Sequence, residues 1–273
     1  LALVIFVPYF IGSRTREAAQ LAPADTVLPP LPGGSAQVRM GVLYAELARR
    51  VAATDQPRVQ VGDCVATLGV LAGLQAQGLD PALVWLDAHG DFNTWETTPS
   101  GFLGGMPLAM ITGLGEQTIV EAVDLRPVAG RRLLLVGARD LDPGEDTNLE
   151  VAGVRQAEVE DLSAADLPEG PIYLHLDCDL VVIEEMPAVN YPAAGGPGAA
   201  AVRDAVERVF DSGRVVAFSF TGWDPNLPGA EIAAATARGL TQGLLFAGGR
   251  AGGRDPAEAG LPGPPEGGRP PSD

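Results

Sequence analysis

Apolar residues fall in short continuous runs along this chain, at 1–9, 58–61, 82–87, 132–138, 171–177 and 214–220. A run that is apolar at successive positions leaves no face for water, so each predicts a strand buried on both sides. Helical patterns separate the runs, at about 35–54, 64–78, 104–113, 199–212 and 229–246. Strands alternating with helices predict an α/β fold, a single three-layer αβα domain with a mainly parallel sheet. That domain is expected over 1–247, with no internal repeat. Beyond it, at 248–273, Gly and Pro replace large apolar residues, and a disordered tail is expected because such a segment cannot bury enough to order itself.

Two of the strands end in chemistry. "VWLDAHGD" (84–91) runs from apolar residues into Asp87, His89 and Asp91, and "YLHLDCDL" (173–180) carries His175, Asp177 and Asp179 in the same alternation. Alternate residues of an extended segment point to one side, so each trio is expected to converge. Buried carboxylates need a positive partner, and a cation is the natural one. Oxygen-rich ligation with an imidazole suits Mn²⁺ or a similar ion better than Zn²⁺. In open parallel sheets ligands gather at the carboxyl ends of strands, where both clusters fall. A third segment, "VQVGDCVATLG" (59–69), reads as strand, turn and helix. There Asp63 reads as an N-cap and Cys64 as either a small buried residue or a thiol whose pKa is lowered by the helix end.

Composition narrows the partners. The 35 acidic residues outnumber 18 basic ones, all of them arginine, for a net charge of −17. That balance argues against nucleic acid and against an anionic membrane surface. The apolar start, 1–12, lacks a basic leader region and is too short to span a bilayer, so a buried first strand is expected. Two cysteines, Cys64 and Cys178, make no disulfide framework, which points to a reduced, cytoplasmic setting.

Three segments in order, "DAHGDFNT…TPSG" (87–101), "GARDLDPGE" (137–145) and "LDCD" (176–179), resemble the arginase, or ureohydrolase, family, and the likeness covers about residues 1–247. The resemblance implies an arginase-like fold holding Mn²⁺, one ion or two. In the family a hydroxide bridging two ions attacks a guanidinium-type carbon. It further implies that Asp87, His89, Asp91, Asp177 and Asp179 are metal ligands, with Cys64 standing where typical members carry a sixth ligand, a histidine. On this reading Cys64 and His89 complete one site, while Asp91, Asp177 and Asp179 hold the other ion, with Asp87 shared. Asp91 and His175 are the candidates for a direct part in catalysis; His175 is also placed to hydrogen-bond a ligand from behind. Asn93 and Ser100 match positions that hold a substrate α-carboxylate, and Asp142 and Glu145 those that contact its α-amino group. The implied partner is a small amino-acid-like substrate, and the expected assembly is a homo-oligomer.

Two departures bear on the substrate. Gly104 stands where arginases carry a proton-shuttling histidine, and Gly222 where they carry a glutamate that receives the guanidinium. The first loss weakens expulsion of a poor amine leaving group, and the second removes a charge-assisted hydrogen bond. The chain is closest in pattern to the N-omega-hydroxy-L-arginine amidinohydrolases, which it resembles in Cys64, in Gly104 and in the His-x-Asp-x-Asp of 175–179. Gly222 departs from that subgroup too; Glu96, Glu184 and Glu185 are the acidic substitutes available, or are simply solvated. Trp95 and Trp223 are candidate pocket walls. Two readings follow: a metal-dependent hydrolase of a C–N bond, or a metal-poor, non-catalytic relative kept for binding or oligomerisation.

Overall fold

The computed structural model of the chain describes residues 4–15 and 20–245. The expected tail at 248–273 lies outside the described residues. So do positions 1–3 of the first apolar run and the end of the last expected helix. Eight strands make one sheet in the order β4-β1-β5-β10-β9-β6-β7-β8, and every pairing in it is parallel. The central strands are β1 (Val4–Val7), β5 (Arg58–Val61), β6 (Ala82–Leu86), β7 (Leu133–Val136), β9 (Ile172–Leu176) and β10 (Val215–Thr221). These are the six apolar runs. The edges, β4 (Ala24–Thr26) and β8 (Arg155–Ala157), are short and polar and give no apolar signal.

The period of two along each strand divides the core into two layers. Trp85, Leu83, Leu135, Tyr173, Val59 and Ile5 face one way, toward helices α1 (Ala36–Ala52), α2 (Thr67–Ala76) and α3 (Pro107–Ile111). Their neighbours Val84, Leu86, Val136, Leu174 and Phe218 face the other, toward α6 (Ala199–Asp211) and α7 (Ala230–Thr241). Burial on both faces is why the strands read as continuous apolar runs. Ser35 caps α1, its side chain accepting from Val38 N.

Local chemistry shortens or splits several expected elements. Pro8 ends β1, and a small hairpin follows, β2 (Tyr9–Phe10) and β3 (Ser13–Arg14), closed by Ile11 (φ 46°) and Gly12 (φ 69°). Positive φ at both loop residues matches the twist of a two-residue hairpin. The helix expected at 104–113 is a 3-10 turn, Leu103–Gly105, followed by α3, which Pro107 opens. Pro is favoured at a first helical position because its missing N–H has no partner there. Two short helices, α4 (Thr118–Ala122) and α5 (Glu145–Ala152), are absent from the sequence reading. Among the described residues no helix is long and apolar enough to cross a membrane.

Candidate active site

Five neighbouring strands, β5, β10, β9, β6 and β7, run parallel and therefore end on one side of the sheet. Their carboxyl ends deliver Cys64, Gly222, Asp177, Asp87 and Asp142 to a single cavity of about 340 Å³. Among the described residues no arginine lines it, and the chain has no lysine. Asn93, Ser100, Gly104, Glu145 and Asp179 line it as well.

The ligand candidates converge, though not as two strand-borne trios. Ligand atoms of Cys64, Asp87 and Asp91 lie within 4.8 Å of one another, and so do those of Asp87, His89 and Asp179. Strand β6 stops at Leu86, and Asp91 turns the chain with φ 50°, a left-handed conformation that Asp tolerates better than most residues. Asp91 thereby joins Cys64, while His89 stays with Asp179, its Nδ1 3.1 Å from Oδ2. In this geometry Cys64 groups with Asp91 and His89 with Asp179, where the sequence placed Cys64 with His89, and Asp87 belongs to both groups. Asp177 is within reach of the first group, since the Cys64 thiol donates to its Oδ2 at 2.9 Å. Asp179 N in turn donates to Asp177 Oδ1 at 2.9 Å.

Asp87 is 1% exposed and held by donors on both oxygens. Trp85 Nε1 donates to Oδ2 at 3.0 Å and His89 N to Oδ1 at 2.8 Å. Burial and mutual repulsion push the acids Asp91, Asp177 and Asp179 above the usual carboxylate range. Burial opposes charge on His89, but hydrogen bonds to Asp179 and Asp87 and their negative charge outweigh it and push the imidazole up to about 12. The helix-end expectation for Cys64 is reversed. Burial first, then the carboxylates at 177, 91 and 87, push the thiol up.

Burial is the largest single influence on each of these groups; the carboxylates' action on one another and on Cys64 adds to it, and at His89 outweighs it, the mark of negative charge gathered in one place. Asp91 Oδ2 is buried with no hydrogen-bond partner among the described residues, an orphan that a cation would satisfy. The donor set fits a metal ion with oxygen-rich coordination.

Asp63 is a cap, as its sequence position suggests. Its carboxylate accepts from Ala66 N at 3.2 Å, Tyr44 Oη at 2.9 Å and Ile11 N at 2.7 Å. His175 is 1% exposed and does not line the cavity. It lies behind Cys64, Nε2 to Sγ 3.4 Å, with Nδ1 2.8 Å from Ser219 Oγ and Tyr173 Oη 2.6 Å from that same oxygen. Burial lowers its pKa to about 4, so the ring is neutral. The sequence reading passed over Ser219, Tyr173 and the indole of Trp85, which lie inside strands that read simply as core.

The residues that the resemblance assigns to an amino-acid grip all line the cavity. Asn93 Nδ2 donates to Asp142 Oδ2 at 2.8 Å. Glu145 ties two loops, Oε1 accepting from Phe92 N at 2.9 Å and Oε2 from Asp142 N at 2.7 Å. Ser100 Oγ accepts from Phe102 N at 3.2 Å. Trp95 and Trp223 do not line the cavity; Phe10, Phe102 and Tyr191 do. Trp95 is exposed and Trp223 packs on the second core layer. Glu96, Glu184 and Glu185 also lie outside the cavity lining, and Glu185 instead accepts from Ala199 N at the start of α6.

The Arginase family model matches residues 17–246. The arginase of Bacillus subtilis (strain 168) is 31% identical over 202 residues, which cover 69% of this chain and 68% of that protein. The N(omega)-hydroxy-L-arginine amidinohydrolase of Streptomyces lavendulae is 33% identical over 150 residues, covering 54% of this chain and 53% of its own. The chain thus spans about two thirds of one curated relative and about half of the other. A crystal structure of arginase from Bacillus subtilis matches with a TM-score of 0.75 at 26% identity, over 89% of this chain and 99% of that one. These homologues are amidinohydrolases that act on C–N bonds in linear amidines. The sheet, the carboxylates at its strand ends and a family match over most of the sequence agree: the chain belongs to the arginase family.

Proposed function

We propose that the protein hydrolyses a C–N bond in an arginine-like amino acid, and takes N-omega-hydroxy-L-arginine in preference to L-arginine. The observation that carries this reading is the pair of ligand groups sharing Asp87 at the inner end of an acidic cavity. Cys64, Asp87 and Asp91, with Asp177 beside Cys64, would hold one Mn²⁺, and Asp87, His89 and Asp179 a second where two are present. When bound, the metal supplies the positive charge that acidifies water and makes it a nucleophile near neutral pH. His175 acts through Cys64 as a positioning residue, its ring oriented by Ser219. Asn93 and Ser100 receive the substrate α-carboxylate, while Asp142 and Glu145 receive the α-amino group. With glycine at 104 and 222, no side chain at either position protonates an amine leaving group or pairs with a full guanidinium. A less basic hydroxyguanidine asks less of both.

Initial rates with Mn²⁺-loaded protein test the proposal. N-omega-hydroxy-L-arginine should turn over faster than L-arginine, and agmatine, which lacks the carboxylate, should be poor. Agmatine turned over as well as either amino acid would show that the α-carboxylate contacts do not select substrate. The second reading, a metal-poor binding or oligomerisation module, draws on the two glycines and on the Cys64 thiol engaged with Asp177. Protein that stays metal-free in excess Mn²⁺ would favour it.

A further inference from the structure

The residues behind Asn93 dictate which way its amide faces. A primary amide ends in an acceptor oxygen and in a nitrogen carrying two donors, and its neighbours decide which end goes where. An ionised carboxylate only accepts, so Asp142 Oδ2 faces Nδ2, 2.8 Å away. The other end, Oδ1, lies 2.9 Å from Thr97 Oγ1. That hydroxyl accepts from Thr94 N at 2.9 Å, and its one proton is left to donate to Asn93. The hydrogen bonds therefore run in one direction, from Thr94 N–H to Thr97, from Thr97 O–H to Asn93, and from Asn93 N–H to Asp142.

Thr97 is itself well fixed. Its N–H donates to Thr94 O at 3.2 Å, closing the 94–97 turn from the other side. Its methyl, Cγ2, lies over Gly144 (φ 95°), where a built Cβ would come within 3.2 Å of it. One side chain thus touches both grip segments, by its hydroxyl at Asn93 and by its methyl beside Asp142. Yet Thr97 stands behind the cavity: Asn93, Thr98, Ser100 and Asp142 are on the lining, and Thr97 is not.

This arrangement leaves a ligand one donor. Asn93 is buried, its Oδ1 is engaged by Thr97, and one Nδ2 hydrogen goes to Asp142. The second Nδ2 hydrogen has no partner among the described residues. An amide that shows only N–H selects an acceptor such as a carboxylate, whereas the same amide turned over would show an oxygen and favour an ammonium. An α-amino acid carries both groups, so the direction of Asn93 decides which one it meets. The Asp142 anchor is shared with the α-amino group it receives; the Thr97 anchor is touched by no ligand.

We propose that Thr97 is a positioning residue that sets the specificity of the site for an α-carboxylate, by holding the Asn93 amide with its N–H toward the ligand. The proposal rests on the reading of Asn93 as a carboxylate contact, and adds the residue that makes it a donor.

Three variants separate the two ends of the Thr97 side chain. Thr97→Val replaces the hydroxyl by a methyl of similar size, Thr97→Ser keeps the hydroxyl and drops the methyl, and Thr97→Ala drops both. The ligands are N-omega-hydroxy-L-arginine and L-arginine, which carry the carboxylate, and agmatine, which lacks it. KM and kcat for the amino acids and Ki for agmatine are measured on the Mn²⁺-loaded full chain. Calorimetry reads the same selection without turnover, and so separates this proposal from the assigned reaction. Loss of one hydrogen bond should raise KM for both amino acids about 3- to 10-fold in Thr97→Val, with kcat and the agmatine Ki little changed. Thr97→Ser should restore KM. If Thr97→Val does not fold, Thr97→Ala set against Thr97→Ser isolates the hydroxyl in the same way. A folded variant without the hydroxyl that keeps the wild-type KM overturns the proposal, and so does equal weakening of agmatine or a failure of Thr97→Ser to restore. Wild-type protein that binds agmatine as tightly as L-arginine overturns the carboxylate reading of Asn93, and the proposal with it.

Discussion

Trp85→Phe isolates the support of the shared carboxylate. Trp85 is fully buried in β6, and its indole N–H donates to Asp87 Oδ2 at 3.0 Å. The other oxygen is fixed by the backbone N–H of His89. The substitution removes the side-chain donor and leaves the backbone one. A hydrogen bond to a charged group contributes about 1.5–3 kcal/mol, which at about 1.4 kcal/mol per tenfold is a factor of about 10–150. Loss of a hydrogen-bonded partner behind a metal ligand costs about 10–100-fold in metal affinity, so the two routes agree. The Mn²⁺ dissociation constant should therefore rise by about 10–100-fold. Since Asp87 belongs to both ligand groups, both should weaken together.

The fold loses stability separately, by about 1–3 kcal/mol, because a smaller ring leaves the core underfilled. The contact with the His175 ring, now 4.3 Å between centroids, loosens as well. The assay is titration of free Mn²⁺ by electron paramagnetic resonance, on variant protein shown by circular dichroism to be folded. A folded Trp85→Phe protein that binds Mn²⁺ as tightly as wild type refutes the reasoning. So does one that loses affinity at one ion and not the other.

Mn²⁺ at about 100 times its dissociation constant should stabilise the wild type by about 2.7 kcal/mol, a rise of about 5–11 °C in Tm for a chain of this size. Asp177→Ala combined with Asp179→Ala should abolish both binding and shift; a wild-type Tm unmoved by millimolar Mn²⁺ in a melting scan contradicts this. Cys64→Ala should keep the ion of the Asp87, His89 and Asp179 group, and Cys64→His should raise occupancy of the group containing Asp91, because imidazole suits Mn²⁺ better than a thiolate does. Equal stoichiometry and affinity in wild type and both variants would make Cys64 only a packed residue at the start of a helix.

The convergence of the candidate ligands is legible for a physical reason. A parallel strand that ends at the site delivers several groups within a few residues, so Asp87, His89 and Asp91 carry a local spacing, and so do Asp177 and Asp179. What spacing alone could not show is how they divide. A left-handed backbone at Asp91 sends its side chain to Cys64 and leaves His89 with Asp179, and no alternation rule anticipates that turn. The short polar edge strands β4 and β8 escaped for a related reason, since three-residue segments without apolar runs gain their structure from the neighbouring strand. The cavity wall was the least legible feature. Each of its segments contributes one ring, at positions 10, 102 and 191, and a single aromatic in a hairpin, a turn or a Pro/Gly-rich loop has no period to mark it. Trp95 and Trp223 are large aromatics beside motif residues, yet one is exposed and the other, half-buried, packs against the second core layer. A ligand set carried on strand ends can therefore be read from local pattern, whereas a wall built one residue per segment emerges only from the packing of distant loops. In this chain the candidate metal ligands belong to the first kind and the aromatic residues of the cavity wall to the second.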